Sequence, residues 1–126
     1  MILTQDAQLF FSGQVRKYII GRHMARNSHN LDFHPVPEGF FPLEQGDKIV
    51  DVAAGKHYLA IVTERGKLYA SGFMLYRCMV GCRSNRQNDE DYPYELTMPD
   101  ENWRVVKVFG CEKYNNLWVT AVNMAG

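Results

Sequence analysis

The sequence has no long apolar run and no excess of charge, and each absence excludes a class of protein. Nowhere do eighteen apolar residues follow one another, whereas a membrane-spanning helix needs about 20. Met1 is followed by Gln5 and Asp6 rather than by basic residues and an apolar stretch, so no secretory signal is expected. Lys and Arg total 14, as do Asp and Glu, and this balance favours neither nucleic acid nor an anionic membrane as a partner.

Cysteine is scarce, and its spacing matches no disulfide framework. The three cysteines are Cys78, Cys82 and Cys111, and because they are odd in number and match no disulfide scaffold we expect free thiols. We therefore expect an intracellular protein in a reducing compartment: the cytoplasm, the cytoskeleton or the nucleus.

Helical periodicity is also lacking, because no window of a dozen residues keeps apolar positions at i, i+3, i+4 and i+7. Val, Ile, Tyr, Phe and Thr dominate the ordered stretches, which predicts an all-β fold. The run HYLAIV predicts a strand buried on both faces, and the turn signal ERG after it predicts a hairpin over residues 57–72. In KIVDVAAG, alternation predicts that Val50 and Val52 share one face and that Ile49 faces the other way.

The 126 residues suffice for one small domain, and they contain an internal echo. At an offset of 59, LTQDAQLFFSG lies over VTERGKLYASG, which pairs Thr4 with Thr63 and Leu9 with Leu68. Further along, three pairs correspond: Val50 with Val106, Val52 with Val108, and Leu59 with Leu117. We predict two repeats, residues 1–62 and 63–126, that form one continuous module.

Residues that could carry catalysis or hold a cofactor do not form a recognisable set. The chain has no Gly-x-Ser-x-Gly, no paired-carboxylate context and no phosphate-binding glycine loop. A metal site on His23, His29 and His34, or on the three cysteines, is the alternative; zinc sites favour tight ligand pairs, which are missing here. The sequence therefore predicts no enzyme, no cofactor and no metal.

The order of the motifs resembles the repeat of the regulator of chromosome condensation family. The resemblance rests on GKLYASG, a Val-Gly after a short loop, a proline-bounded segment, and IVDVAAGKHYLAIV. It departs from the family where Ser12 and Ser71 replace Trp before glycine, and where Cys111 and Lys113 replace glycine and histidine. The resemblance implies one four-stranded β-propeller blade per repeat and a structural role for His57. Glycines at repeat positions or turns are expected to be structural as well, namely Gly13, Gly21, Gly55, Gly66, Gly72, Gly81 and Gly110.

Two blades cannot close a propeller ring, so we expect a partial propeller that is completed by another chain or by a longer parent. The predicted function is a non-catalytic interaction or scaffold module within a multi-subunit assembly. The alternative that the resemblance implies is a fragment of a guanine-nucleotide exchange factor for a small GTPase. Partner contacts are predicted in the polar stretch RSNRQNDEDYPY and at one phenylalanine, and the residues are Arg83, Arg86, Tyr92, Tyr94 and Phe40.

Overall fold

The computed structural model describes six segments of the chain: residues 1–12, 33–55, 58–72, 83–84, 93–110 and 117–125. Within them the chain is all-β, as predicted, and none of these residues forms a helix that could cross a membrane. The described strands are β1 Ile2–Leu3, β2 Leu9–Phe11, β3 His34–Pro35, β4 Ile49–Ala54, β5 Tyr58–Thr63, β6 Leu68–Gly72, β7 Arg83–Ser84, β8 Tyr94–Thr97, β9 Trp103–Gly110 and β10 Leu117–Asn123.

The strands form antiparallel sheets that follow one another along the chain. The first described sheet has the order β1-β2-β3, the second β4-β5-β6-β8-β7, and the third contains β9 and β10. We call them the first, central and last sheets. The boundary predicted between the repeats, after residue 62, falls within β5. Residues 1–62 therefore contribute strands to the first and central sheets, and residues 63–126 contribute strands to the central and last sheets.

The central sheet lies between the other two, and β5 is its most buried strand. All six residues of β5 are buried, which confirms the strand predicted from the run HYLAIV. On one side, Leu59 and Ile61 pack with Leu9 and Phe11 of the first sheet. On the other side, alternate residues pack against the last sheet, namely Ala60 and Val62 of β5 against Val105 and Val108 of β9. Because burying such side chains contributes about 1.5–3 kcal/mol each for Val or Leu, this sheet-on-sheet packing is the main stabilising element of the fold.

A β-bulge interrupts β4 and overturns one sequence prediction. Ile49 pairs with Thr63 and Asp51 with Val62, so Val50 is an extra residue without a partner position on β5. A bulge of this kind reverses the alternation of the strand beyond it. Ile49 and Val52 consequently both pack against the core, whereas the Val50 side chain is 45% exposed. The expectation that Val50 shares a face with Val52 is therefore wrong.

The hairpins β4-β5 and β9-β10 have the same register, residue for residue. Ala53 pairs with Ala60 as Phe109 pairs with Trp118, and Ala54 pairs with Leu59 as Gly110 pairs with Leu117. The bulge is shared too, because the last hairpin places Val106 as the extra residue between Val105 and Lys107. The sequence offsets are 56 on the first strand and 58 on the second, the offsets at which the sequence comparison paired Val50 with Val106 and Leu59 with Leu117.

The turns that precede β2 and β6 are also alike in detail. The Thr4 amide donates to the Gln8 carbonyl over 2.9 Å, and the Thr63 amide donates to the Lys67 carbonyl over the same distance. Each threonine hydroxyl then accepts a bond from the amide of the residue four positions later, over 3.0 and 3.2 Å. The third residue of each turn has a positive φ, 64° at Ala7 and 84° at Gly66. The two turns within the segments that the sequence comparison paired thus have the same hydrogen bonds and the same backbone conformation at the third residue.

A hydrogen bond between β4 and β9 helps to join the central and last sheets. Oδ2 of Asp51 on β4 accepts a hydrogen bond of 2.9 Å from the backbone amide of Val108 on β9, in a partly buried position. The Asp51→Ala substitution leaves that amide without its acceptor and is expected to lower the free energy of unfolding by about 1–2 kcal/mol. Urea unfolding followed by circular dichroism measures the loss. Asp51→Asn keeps an acceptor, so its free energy of unfolding should fall by less. As a control, Glu101→Ala at an exposed turn should stay within about 0.5 kcal/mol of the parent. Equal losses of stability in all three variants would contradict a stabilising role for the Asp51–Val108 hydrogen bond.

Candidate partner-binding face

The last sheet has one buried face and one open face. Val105 and Val108 point towards the central sheet and are 2% and 4% exposed, and three partly buried residues of β10 accompany them: Leu117, Val119 and Ala121. On the opposite face, Phe109 and Trp118 stand directly across from one another in the strand register. Their side chains are 47% and 67% exposed. The hairpin thus presents two adjacent aromatic rings to solvent.

Comparison with the central hairpin shows what this exposure means. The positions of Phe109 and Trp118 correspond in register to Ala53 and Ala60. Both alanines are buried, because the last sheet packs over them. The same face is therefore covered in the central sheet and open in the last sheet, where it carries large aromatic side chains instead of alanine. We call Phe109 and Trp118 the outer aromatic face.

Exposure alone does not mark this face, as the bulge valines show. Val106 is 48% exposed, about as much as Phe109, yet its counterpart Val50 is 45% exposed in the central sheet, which has a neighbour on both sides. A valine at this bulge is therefore exposed whether or not a further sheet packs nearby. Among the exposed large apolar residues of β9 and β10, only Phe109 and Trp118 have buried counterparts in the central hairpin. They therefore define the candidate site, and Val106 does not.

Lys107 adds a charge at the border of the outer aromatic face. Its ammonium nitrogen lies 5.2 Å from the centre of the Phe109 ring, a cation-π distance. In register, Lys107 corresponds to Asp51, whose carboxylate accepts a bond from the next sheet. A lysine can only donate hydrogen bonds. A partner on this face would therefore meet a hydrogen-bond donor, Lys107, at the position where the central sheet offers an acceptor, Asp51.

Among the residues predicted to contact a partner, Phe40 is the one whose side chain the structure describes. Phe40 packs edge-to-face on Phe41, with ring centres 5.1 Å apart, and it is half-buried against the core between the first and central sheets. Phe41 is buried. Arg83 and Tyr94 lie in β7 and β8, where Tyr94 pairs with Ala70; Arg86 and Tyr92 lie outside the described residues.

Ion pairs anchor the loop that carries Phe40. Arg65 donates to the Glu44 carboxylate over 2.9 Å and to the Gln45 carbonyl over 3.0 Å, and Lys67 donates to the other oxygen of Glu44. The hydrogen bonds from Lys67 and Arg65 lower the pKa of Glu44, and the bond to Glu44 raises the pKa of Lys67. These groups tie the loop to the turn before β6 at an exposed site, where such pairs contribute little stability each.

Three of the glycines predicted as structural positions lie at close approaches: Gly55, Gly66 and Gly110. A Cβ on Gly55 would come within 1.9 Å of the Tyr58 ring, and a Cβ on Gly110 would lie 2.8 Å from the Tyr58 hydroxyl. Gly66 needs its positive φ, and Gly72 ends β6 opposite Tyr58. The other predicted structural residues lie outside the described part of the chain: Gly13, Gly21, His57 and Gly81.

The metal alternative acquires no support from the described residues. His34 lies in β3 with its ring centre 5.7 Å from that of Phe11. In the part of the chain that the structure describes, no group of three or more His, Cys, Asp and Glu side chains could hold a metal ion. The other histidines and cysteines weighed for that role lie outside it: His23, His29, Cys78, Cys82 and Cys111.

Sequence reasoning missed Phe109 and Trp118, although a signal for them existed. The offsets of 56 and 58 place Phe109 over Ala53 and Trp118 over Ala60. A repeat that replaces two alanines of a buried strand pair by two aromatic residues has changed what packs on that face. Comparing residue volumes between the repeats, rather than matching their motifs, would have identified the site.

Comparisons with known proteins bear on the fold alone. No protein-family model matches the chain, and no curated protein matches it. Among solved structures, the chain is similar to the crystal structure of human WBSCR16, with a TM-score of 0.67 and 18% sequence identity. The match covers 96% of this chain and 28% of that chain. The stack of antiparallel sheets therefore recurs within a much longer polypeptide.

Proposed function

We propose that the chain is a non-catalytic structural and protein-protein interaction module, a partial β-propeller of the regulator of chromosome condensation type. It docks into a larger assembly through the outer aromatic face. The support for repeated blades is the shared register: two hairpins with one bulge at the same position, and two turns with the same hydrogen bonds. In this reading the central sheet is a blade, and the first and last sheets are parts of the neighbouring blades.

The sheet stacking supports the same reading. The first sheet packs on one side of β5, and the last sheet packs on the other. A blade of a repeat protein contacts its neighbours on both faces, and a terminal blade leaves one face uncovered. The module needs a further protein surface on that uncovered face.

The observation that carries the proposal is the difference in exposure between Trp118 and its counterpart Ala60, 67% against 0%. Two adjacent aromatic side chains on one face of a sheet suit a protein interface, because Trp and Tyr are enriched among residues that dominate binding energy. The nearby lysine would fix the orientation of a partner that brings an acceptor.

Co-purification with matched variants tests the proposal. The tagged chain, Trp118→Glu and Val106→Glu are expressed in cells and recovered by affinity, and bound proteins are quantified by mass spectrometry. We expect at least one protein to be recovered with the parent and with Val106→Glu and to be lost with Trp118→Glu, because only Trp118 belongs to the docking face. Equal recovery of every bound protein with all three variants would contradict the proposal.

A nucleotide-exchange assay addresses the catalytic alternative. Small GTPases loaded with fluorescent GDP are mixed with the purified chain, and nucleotide release is followed over time. A scaffold module leaves the release rate unchanged. Acceleration at substoichiometric concentration would instead support the exchange-factor alternative and overturn the non-catalytic reading.

A further inference from the structure

We propose that the outer aromatic face binds a second copy of this chain, at the outer side of its first sheet, so that copies join head-to-tail. The inference rests on the proposed function and names the partner of the docking face. It follows from the directional way in which the sheets of a single copy stack on one another.

Each stacked sheet has two different faces. The leading face looks towards the sheet that follows along the chain, and the trailing face looks towards the sheet that precedes it. Leu9 and Phe11 form the leading face of the first sheet and meet the trailing face of the central sheet at Leu59 and Ile61. The leading face of the central sheet meets the trailing face of the last sheet in the same way, with Ala60 against Val105 and Val108. A leading face packs on a trailing face in both contacts.

A single copy leaves one face of each kind open. The open leading face is the outer aromatic face of the last sheet. The open trailing face belongs to the first sheet, where Ile2 is 45% exposed and pairs with the half-buried Phe10. Their register counterparts in the central sheet, Ile61 and Tyr69, are 0% and 4% exposed because the first sheet covers them. One molecule therefore carries an open leading face and an open trailing face. These are the two kinds of face that pack on each other twice within a single copy.

The open leading face is bulkier than the leading face that is covered within one copy. The leading face has Phe109 and Trp118 where the internal contact has alanines. The open trailing face carries Ile2 and Phe10, so apolar side chains would lie on both sides of the contact. A contact between different faces is heterologous, so it generates closed rings or open chains rather than a two-fold dimer.

Sedimentation equilibrium of purified protein between about 1 and 200 µM tests the proposal, with three variants that carry the same new residue. Trp118→Glu removes the leading face, Ile2→Glu removes the trailing face, and Val106→Glu alters an equally exposed valine outside both. We expect the parent and Val106→Glu to associate beyond a dimer. Replacing an apolar anchor residue of a contact by a charged one weakens association about 30-fold or more, so Trp118→Glu and Ile2→Glu should each be monomeric over most of this range.

Mixing the two defective variants gives the decisive result. Ile2→Glu keeps its leading face and Trp118→Glu keeps its trailing face, so an equimolar mixture should form a one-to-one heterodimer that grows no further. Formation of this heterodimer also shows that both variants are folded. Self-association of Ile2→Glu with loss only in Trp118→Glu would show a two-fold contact between leading faces and overturn the proposal.

A parent chain that stays monomeric at 200 µM would likewise overturn it. That failure is separate from failure of the proposed function. The proposed function fails only if the co-purification experiment shows no bound protein, a second copy of the chain included, that is lost with Trp118→Glu.

Discussion

Gly66→Ala lowers the free energy of unfolding by about 2–4 kcal/mol, because the new methyl group meets both backbone strain and a fixed neighbour. Gly66 has a φ of +84°, a conformation that residues with a Cβ rarely adopt. Its Cβ would lie 2.7 Å from the Arg104 Cβ and 3.0 Å from the Arg104 Cα. These atoms belong to β9, which is held by β10, so the turn has to move.

Movement of this turn affects the contact between the central and last sheets. The Gly66 carbonyl accepts a hydrogen bond of 2.9 Å from the Val105 amide, and the Glu64 carbonyl accepts one of 3.0 Å from the Arg104 guanidinium. The turn is thus bonded to the start of β9 as well as joining β5 to β6. Hydrogen exchange should therefore show faster exchange in β9 and β10 of Gly66→Ala, at positions distant in sequence from the substitution.

Ala7→Gly is the matched control, because Ala7 occupies the same position in the twin turn with a φ of 64°. Glycine relieves the strain there but adds flexibility to the unfolded chain, so we expect stability within about 1 kcal/mol of the parent. Urea unfolding of the two variants measures both effects. A Gly66→Ala variant as stable as the parent would mean that the turn is not seated against β9.

Much of the fold could be predicted from the sequence, because its strongest signals are local. The run HYLAIV identified β5 and its burial, and the turn signal after it identified the hairpin with β6. The echo between residues 3–13 and 62–72 predicted that two turns would be alike, and their hydrogen bonds are alike. Strand composition and turn chemistry act over a few residues, so they can be recognised in one sequence without knowledge of the packing.

The bulge and the open face could not be predicted in the same way. Alternation assigned Val50 to the face of Val52, but a bulge depends on how β4 pairs with β5, and pairing is not encoded in the pattern of one strand. The prediction of partner contacts was confined to polar loop residues and Phe40. The face of Phe109 and Trp118 becomes visible only when the strand register shows which residues of the covered hairpin correspond to them.

Ala60→Trp places the tryptophan of position 118 at its counterpart in the central hairpin. We expect this substitution to lower the free energy of unfolding by about 3 kcal/mol or more. Ala60 is fully buried between the central and last sheets, in contact with the cluster that contains Val105 and Val108. Protein cores are close-packed, and extra volume forces side chains and backbone apart. An indole has no room there unless the last sheet moves away, so we expect lower stability and faster hydrogen exchange in β9 and β10.

The reverse change, Trp118→Ala, separates packing within one copy from packing against a partner. Trp118 is 67% exposed, so its loss should change the stability of a dilute, monomeric sample by only about 0.5–1 kcal/mol. Urea unfolding at low protein concentration measures both variants under the same conditions. If Ala60→Trp were as mild as Trp118→Ala, the last sheet would not cover the leading face of the central sheet. The outer aromatic face could then not be inferred from that contact, because a partner is expected there only if this type of face is covered wherever a neighbour is present.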